Sequence, residues 1–404
     1  MSSTLTEYKE LTLETAEAYL KTLGLFDEYA ILQTKEIGDG NLNYVFHVQN
    51  PKDGVSYIIK QALPYAKVVG ESWPLTLDRA RIEAEALKLA AEFVPTLVPK
   101  VFHIDRRMAI TVMEDLSSFV ILRKGLIEGQ VYPNLAADIG TYMAHTLFFT
   151  STFGYNQQDA KRLAINYSNP ELCKITEDLV FTDPYFDHET NNFSENLRPT
   201  VEKLWTDVEL KREVAKLKHA FLTKSEALIH GDLHTGSIFV TKTETKVIDP
   251  EFAFYGPFGF DIGAFIANIL LNNVAQIGHI EDNTKRTSYE EYLFSVIHDI
   301  WGTFESEFKA LWENHSVEVF TSLPGYVDDV LAGIWEDALG FAGCKMIRRI
   351  IGLAHVADID SIQSTTTRLI AQQTAIKLGR ILILQRKNMK TTGDLVKAVK
   401  EVLS

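Results

Sequence analysis

Apolar residues recur at helical spacing over 12–23, with Leu13, Ala16, Tyr19 and Leu20 on one side. Three runs of extended character follow at 30–37, 43–48 and 55–62. Gly38-Asp39-Gly40 separates the first two, and Pro51-Lys52-Asp53-Gly54 the next two, which predicts hairpins. Residues 77–93 read as a helix with Ile82, Ala86, Leu89 and Phe93 on one face; Arg79–Glu83 and Arg81–Glu85 are spaced as i,i+4 pairs. Strands are expected at 101–104 and 109–113. Sheet, helix, sheet predicts a small N-terminal α+β lobe over 1–113, with five strands and one main helix. Residues 114–118 then act as a hinge, and from 119 to 404 the pattern turns mainly helical. Helices are expected at 135–149, 210–222, 261–273, 289–312 and 366–383, interrupted by a hairpin at 227–249. A cleft between two such lobes is where a ligand would bind. In the tail, 387–404, Leu395, Val399 and Val402 fit a short amphipathic helix.

The chemistry concentrates around that hairpin. His230-Gly231-Asp232-Leu233-His234-Thr235-Gly236-Ser237 precedes the apolar run Ile238-Phe239-Val240 and a tight turn at Thr243-Glu244-Thr245. Val247-Ile248-Asp249-Pro250-Glu251-Phe252 follows. The turn would bring Asp232 and Asp249 to one edge of the fold. One carboxylate to orient a hydroxyl and another to hold Mg²⁺ is the equipment for phosphoryl transfer from ATP.

Composition narrows the setting. Of 404 residues, 46% are hydrophobic and 23% charged, as in an ordinary globular protein, and the net charge is −14. That acidity argues against a general nucleic-acid binder, and an acidic chain that binds ATP must concentrate its positive charge locally. Cys173 and Cys344 lack metal-ligand spacing and read as reduced thiols. The first 25 residues carry acidic side chains and no secretory core, and the longest apolar stretch, 262–271, falls short of the ~20 residues that cross a bilayer. The expectation is a cytoplasmic protein with no membrane and no nucleic-acid partner.

From residue 29 to 383 the order and spacing resemble the protein-kinase-like superfamily, in the branch of small-molecule kinases that includes aminoglycoside phosphotransferases and choline kinases. The resemblance implies a bilobal α+β fold, a small antiparallel sheet lobe followed by a larger helical lobe. It makes Gly38, Asp39, Gly40, Asn41 and Asn43 a phosphate loop, with Asn43 where a third glycine is usual; taken alone, a glycine-rich hairpin is more often only a turn. Lys60 becomes the phosphate-gripping cation and Glu83, in preference to Glu85, its carboxylate anchor. Glu114, Asp115 and Leu116 fall where backbone groups hold adenine. Asp232 becomes the catalytic carboxylate; His230 and His234, which in isolation look like metal ligands, become structural. The position of the usual second metal ligand is Ser237 here, and Asp249 is followed by Pro250-Glu251, so Glu251 stands in as the second oxygen ligand for Mg²⁺ beside Asp249. Asp261 reads as an N-cap or a loop brace.

The segments Val68-Val69-Gly70-Glu71-Ser72-Trp73-Pro74-Leu75, 230–239 and 249–263, with Arg348-Arg349, are similar to the 5-methylthioribose kinase family. That resemblance implies ATP-dependent phosphorylation of the anomeric 1-hydroxyl of 5-methylthioribose, a step in methionine salvage, by a homodimer. Cations beside a transferring phosphoryl group stabilise its charge, and a guanidinium fork also holds ribose hydroxyls. Adjacent helical positions point to different sides, which favours Arg348 at the substrate with Arg349 in support. Trp73 either closes over the site or packs between the lobes. Two alternatives stay open: a kinase of another small alcohol (aminoglycoside, choline, homoserine or another sugar), and a catalytically inactive kinase fold used as a binding module.

Overall fold

Strands β1 (Gln33–Glu36), β2 (Asn43–Gln49), β3 (Ser56–Ala62), β4 (Val101–Asp105) and β5 (Ile110–Met113) form one antiparallel sheet in the order β1-β2-β3-β5-β4. The computed structural model describes residues 8–37, 42–66 and 70–403, and all their side chains except those of residues 66 and 70–74. Side chains alternate across a strand, so β3 sends Ile59 and Gln61 to one face and Lys60 and Ala62 to the other. Ile59 joins Phe46, Val48, Ile110 and Val112 in a core closed by Ala16 and Leu20 of the helix Leu13–Thr22. Gln61 is fully buried there and satisfied: its carbonyl accepts from Leu11 N–H at 2.8 Å, and its amide donates to the carbonyls of Lys9 and Met108, each at 2.9 Å.

On the opposite face Ala62 packs with Ala80 of the helix Asp78–Phe93. The Arg81–Glu85 pair forms at 2.9 Å. The Arg79–Glu83 pair does not, because both heads turn inward and take partners from other elements. Spacing put the two on one face of the helix, and burial decided what they meet.

Helices Leu135–Thr150, Val208–Thr223, Gly259–His279, Asn283–His315 and Thr365–Gln385 cover the five stretches whose periodicity predicts them. Gly259–His279, with 21 residues, is longer than its apolar run suggested; by length and composition it could cross a membrane, and 94% of its most apolar window is buried inside the protein. The helix Tyr326–Ile351 is not singled out by periodicity, since every residue from Ala338 to Ile347 is buried and no apolar stripe stands against a polar one. It packs against both Gly259–His279 and Thr365–Gln385. A tail helix, Thr392–Leu403, buries Leu395 and Val399.

The chain forms two compact units. One holds the residues up to Phe119 together with Lys246–Phe252; the other holds Val120–Thr245 and everything from Ala253 on. The 246–252 segment is tied to the first unit by Val247 N–H donating to the Leu97 carbonyl at 2.7 Å and by Lys246 Nζ, which donates to the Val98 carbonyl at 3.3 Å.

Candidate active site

In the first unit, β3 places Lys60 on the face covered by the helix Asp78–Phe93, and Nζ donates to Oε1 of Glu83 at 2.8 Å. Lys60 also pairs with Asp249. Burial opposes the Lys60 charge, but Asp249, Glu83 and Glu251 outweigh it and raise the pKa. Glu83 responds the other way: burial, with Asp249 and Glu251 adding to it, raises its carboxyl to about 7 against the pull of Lys60. Glu85 faces elsewhere, toward Arg81 and Arg106.

Glu251 is buried and lies 3.2 Å from Nε of Arg79 and 3.4 Å from Nδ2 of Asn43. Arg79 is wholly buried; it also donates to the Leu63 carbonyl at 3.1 Å, to Asn43 Oδ1 at 3.2 Å and to the Leu42 carbonyl. Spacing pointed to Arg79 only as a partner for Glu83, so its part in holding Glu251 went unread. A single arginine thereby joins Asn43, the first residue of β2, to the acidic segment. Pro250 is buried between the two carboxylates, and Asp249 adopts a left-handed backbone with φ +70°. For a non-glycine residue that conformation costs on the order of 1 kcal/mol, and it is common where geometry serves a site.

Oxygens of Glu83, Asp249 and Glu251 lie within 4.8 Å of one another. Counting Lys60 and Arg79 as +2 and the three carboxylates as −3, the cluster carries −1 when fully ionised. Hard oxygen donors with excess negative charge suit a divalent cation such as Mg²⁺. Lys60 engages both Glu83 and Asp249 and Arg79 faces Glu251, so all three carboxylates are candidates to hold it.

The connector after β5 is also fixed. Glu114 N–H donates to the Lys100 carbonyl at 2.9 Å, and Asp115 accepts from Ser56 Oγ at 2.7 Å and faces His47 Nε2 at 2.9 Å. Leu116 is buried. Gly38, Asp39, Gly40 and Asn41 lie outside the described residues, as does the side chain of Trp73.

In the second unit, strand Ala227–Ile229 pairs with Phe254–Gly256 and delivers the chain into the 230–237 loop. Gly231 takes φ +82°, a conformation open to glycine at little cost. Asp261, in the first turn of Gly259–His279, accepts from His230 N–H at 2.6 Å and Gly231 N–H at 3.0 Å. It is a loop brace, and it makes no cap. His234 Nδ1 accepts from Gly236 N–H at 2.9 Å, which leaves Nε2 to carry the proton toward Asp232 Oδ2 at 3.3 Å. Burial lowers the His234 pKa to about 4 against the pull of Asp232, so the ring is neutral at physiological pH. His234 is therefore more than packing: it orients the Asp232 carboxylate. Ser237 Oγ sits 3.3 Å from the Asp232 carbonyl, inside the loop.

Lys345 was not among the residues the sequence pointed to. Its Nζ donates to Asp232 Oδ1 at 2.9 Å and lies 4.8 Å from the centre of the Phe260 ring. Burial would raise the Asp232 carboxyl; Lys345, then His234 and Arg349, outweigh it and hold it well below the usual carboxylate range. Lys345, Arg348 and Arg349 stand at i, i+3 and i+4 of Tyr326–Ile351, which puts three cations on one helix face. That spacing, inside an otherwise apolar run, was the available signal. Arg348 and Arg349 both donate to the Ala354 carbonyl, at 3.0 and 3.4 Å, because the chain turns back at Gly352. Their adjacency does not send them to opposite sides. Arg123 pairs with buried Asp358 at 3.4 Å and donates to Asn268 Oδ1 at 3.1 Å, and its N–H donates to the Thr235 carbonyl at 3.0 Å. Four cations against the carboxylates of Asp232, Asp261 and Asp358 leave this neighbourhood at +1 when all are ionised, suited to a phosphoryl group.

The chain as a whole matches known proteins. A family model described as "Phosphotransferase enzyme family" matches residues 33–282. The methylthioribose kinase of Geobacillus kaustophilus is 57% identical over 390 residues, covering 96% of each chain. That of Exiguobacterium sibiricum is 51% identical over 388 residues, covering 96% of this chain and 97% of its own. The chain belongs to the methylthioribose kinase family. Among solved structures, Plasmodium vivax ethanolamine kinase is similar at 13% identity, covering 93% of this chain and 91% of that one, with a TM-score of 0.49. The antiparallel sheet and mainly helical remainder described above make the chain α+β.

Proposed function

We propose that this chain is an ATP-dependent kinase that transfers a phosphoryl group to the 1-hydroxyl of 5-methylthioribose, in methionine salvage. The observation that carries the kinase reading is the Lys60–Glu83 pair beside Asp249 and Glu251, a phosphate-gripping cation set among cation-holding carboxylates. The substrate follows from the names of relatives at 51–57% identity.

Asp232 accepts a hydrogen bond from the acceptor hydroxyl and orients it. A carboxylate held at low pKa is a weak base, and a loose, metaphosphate-like transition state needs orientation more than deprotonation. Lys345 and neutral His234 fix that carboxylate, while Arg348 and Arg349 offer positive charge to the transferring group and forks to ribose hydroxyls. Lys60 grips the non-transferred phosphates, and Glu114 to Leu116 supply the adenine contacts. Mg²⁺ would be held by Asp249 and Glu251 and would neutralise charge on the nucleotide phosphates. The reading includes a cytoplasmic homodimer, on the family resemblance.

The test is ADP release with Mg·ATP and 5-methylthioribose, alongside ribose, choline, homoserine and an aminoglycoside, for wild type and Asp232→Ala. Turnover confined to methylthioribose and abolished in D232A is expected. Turnover with a different alcohol alone would refute the substrate, and wild-type activity in D232A would refute the site.

A further inference from the structure

Apart from the Asp232 cluster, the second unit contains a cavity of about 330 Å³ between residues 192–196, residues 355–360 and the start of the helix Thr365–Gln385. Its size is that of a small-metabolite site. Arg368 and Gln372 lie one turn apart on that helix and both line it. Gln372 is only 8% exposed, yet its carboxamide has no hydrogen-bond partner among the described residues. Its amide atoms open onto the cavity, where they offer a donor and an acceptor to an occupant. Arg368 donates to the Asp360 carbonyl at 3.0 Å and has no carboxylate within ion-pair range among the described residues.

The remaining charges sharpen the ligand class. Asp360 places its carboxylate 3.1 Å from His355 Nδ1, and this contact raises the His355 pKa. With the Asp360 carboxylate turned to His355, Arg368 is a cation of the lining that pairs with no carboxylate among the described residues, and Phe193 and Leu369 form an apolar wall. We propose that this cavity is a second ligand site, taking a small oxyanion, carboxylate or phosphate, on a short apolar skeleton, with Arg368 and Gln372 as its recognition pair. His355 follows Ala354, whose carbonyl accepts from Arg348 and Arg349. An occupant would thus act next to the turn that positions the two arginines, a link that rests on the substrate role proposed for them.

The test is calorimetric titration of the full chain, without nucleotide or sugar, with inorganic phosphate and separately with 4-methylpentanoate, for wild type, Arg368→Gln and Arg348→Gln. Saturable binding of at least one probe is expected in wild type and R348Q, weakened at least about fivefold in R368Q, the loss of one charge-assisted bond. The probe that binds identifies the headgroup. Equal affinity in R368Q, binding lost only in R348Q, or no saturable heat from either probe in wild type would overturn the proposal. Arg368 is half-buried, so R368Q is expected to fold, which circular dichroism checks. Neither ATP nor acceptor is present, so failure here and failure of the kinase reading remain distinguishable.

Discussion

Lys345 Nζ lies 2.9 Å from Oδ1 of Asp232, so a buried lysine and the partly exposed, proposed catalytic carboxylate form an ion pair within one unit. Replacing the lysine by methionine keeps its volume and removes its charge. Lys345→Met is expected to lower kcat by about 100-fold. The pH profile should move as well. Lys345 holds the Asp232 pKa down, so its loss raises that pKa, and the acid limb of kcat shifts to higher pH. A purely structural lysine would lower yield or stability and leave the limb where it is.

Glu83 anchors Lys60, and Glu83→Gln preserves shape while removing that charge. About a tenfold fall in kcat/KM for ATP is expected, roughly 1.4 kcal/mol, with KM for the sugar little changed. Glu85→Gln, on the Arg81 side of the same helix, serves as the control and should behave as wild type.

Arg79 is wholly buried against Glu251. Arg79→Met strands that carboxylate, and breaking one half of a buried pair costs about 3–5 kcal/mol. Urea unfolding should show that loss; a change under about 1 kcal/mol would mean Glu251 finds another partner.

Asp249 and Glu251 as cation holders predict that Asp249→Asn raises the half-saturating Mg²⁺ concentration at least about tenfold at fixed ATP. An unchanged Mg²⁺ requirement would remove Asp249 from that role.

His234 links the site to acid stability. Its folded pKa of about 4 lies below the ordinary value of 6.5, so on acidification the unfolded chain takes up a proton that the folded chain refuses. Stability is lost as pH falls from about 7 toward 4, by about 2 kcal/mol between pH 7 and 5. Asn at this position offers Oδ1 to Gly236 N–H in place of Nδ1, and His234→Asn should flatten this part of the pH dependence of the urea midpoint.

Much of this protein was legible in its residues. Alternation set the faces of β3, and with them the opposite placements of Ile59 and Lys60. The helical period put Glu83 where Lys60 could meet it, and the turn residues set off the loop that carries Asp232. Those are local rules, fixed by backbone geometry within a few residues. Other relationships depend on contacts between residues far apart in sequence. Arg79 meets a carboxylate 172 positions away, the difference between 79 and 251, and Lys345 meets one 113 positions away. Spacing alone assigned the first to Glu83 and passed over the second. Continuous burial of Ala338–Ile347 erased the stripe that would have marked its helix, and packing of 246–252 against Leu97 and Val98 put the Asp249 segment in the first unit. The sequence by itself determined which charged groups exist and which backbone element carries each. Tertiary structure alone decided which opposite charges are buried together, because desolvation makes an unpaired buried ion costly and so selects partners by proximity in space.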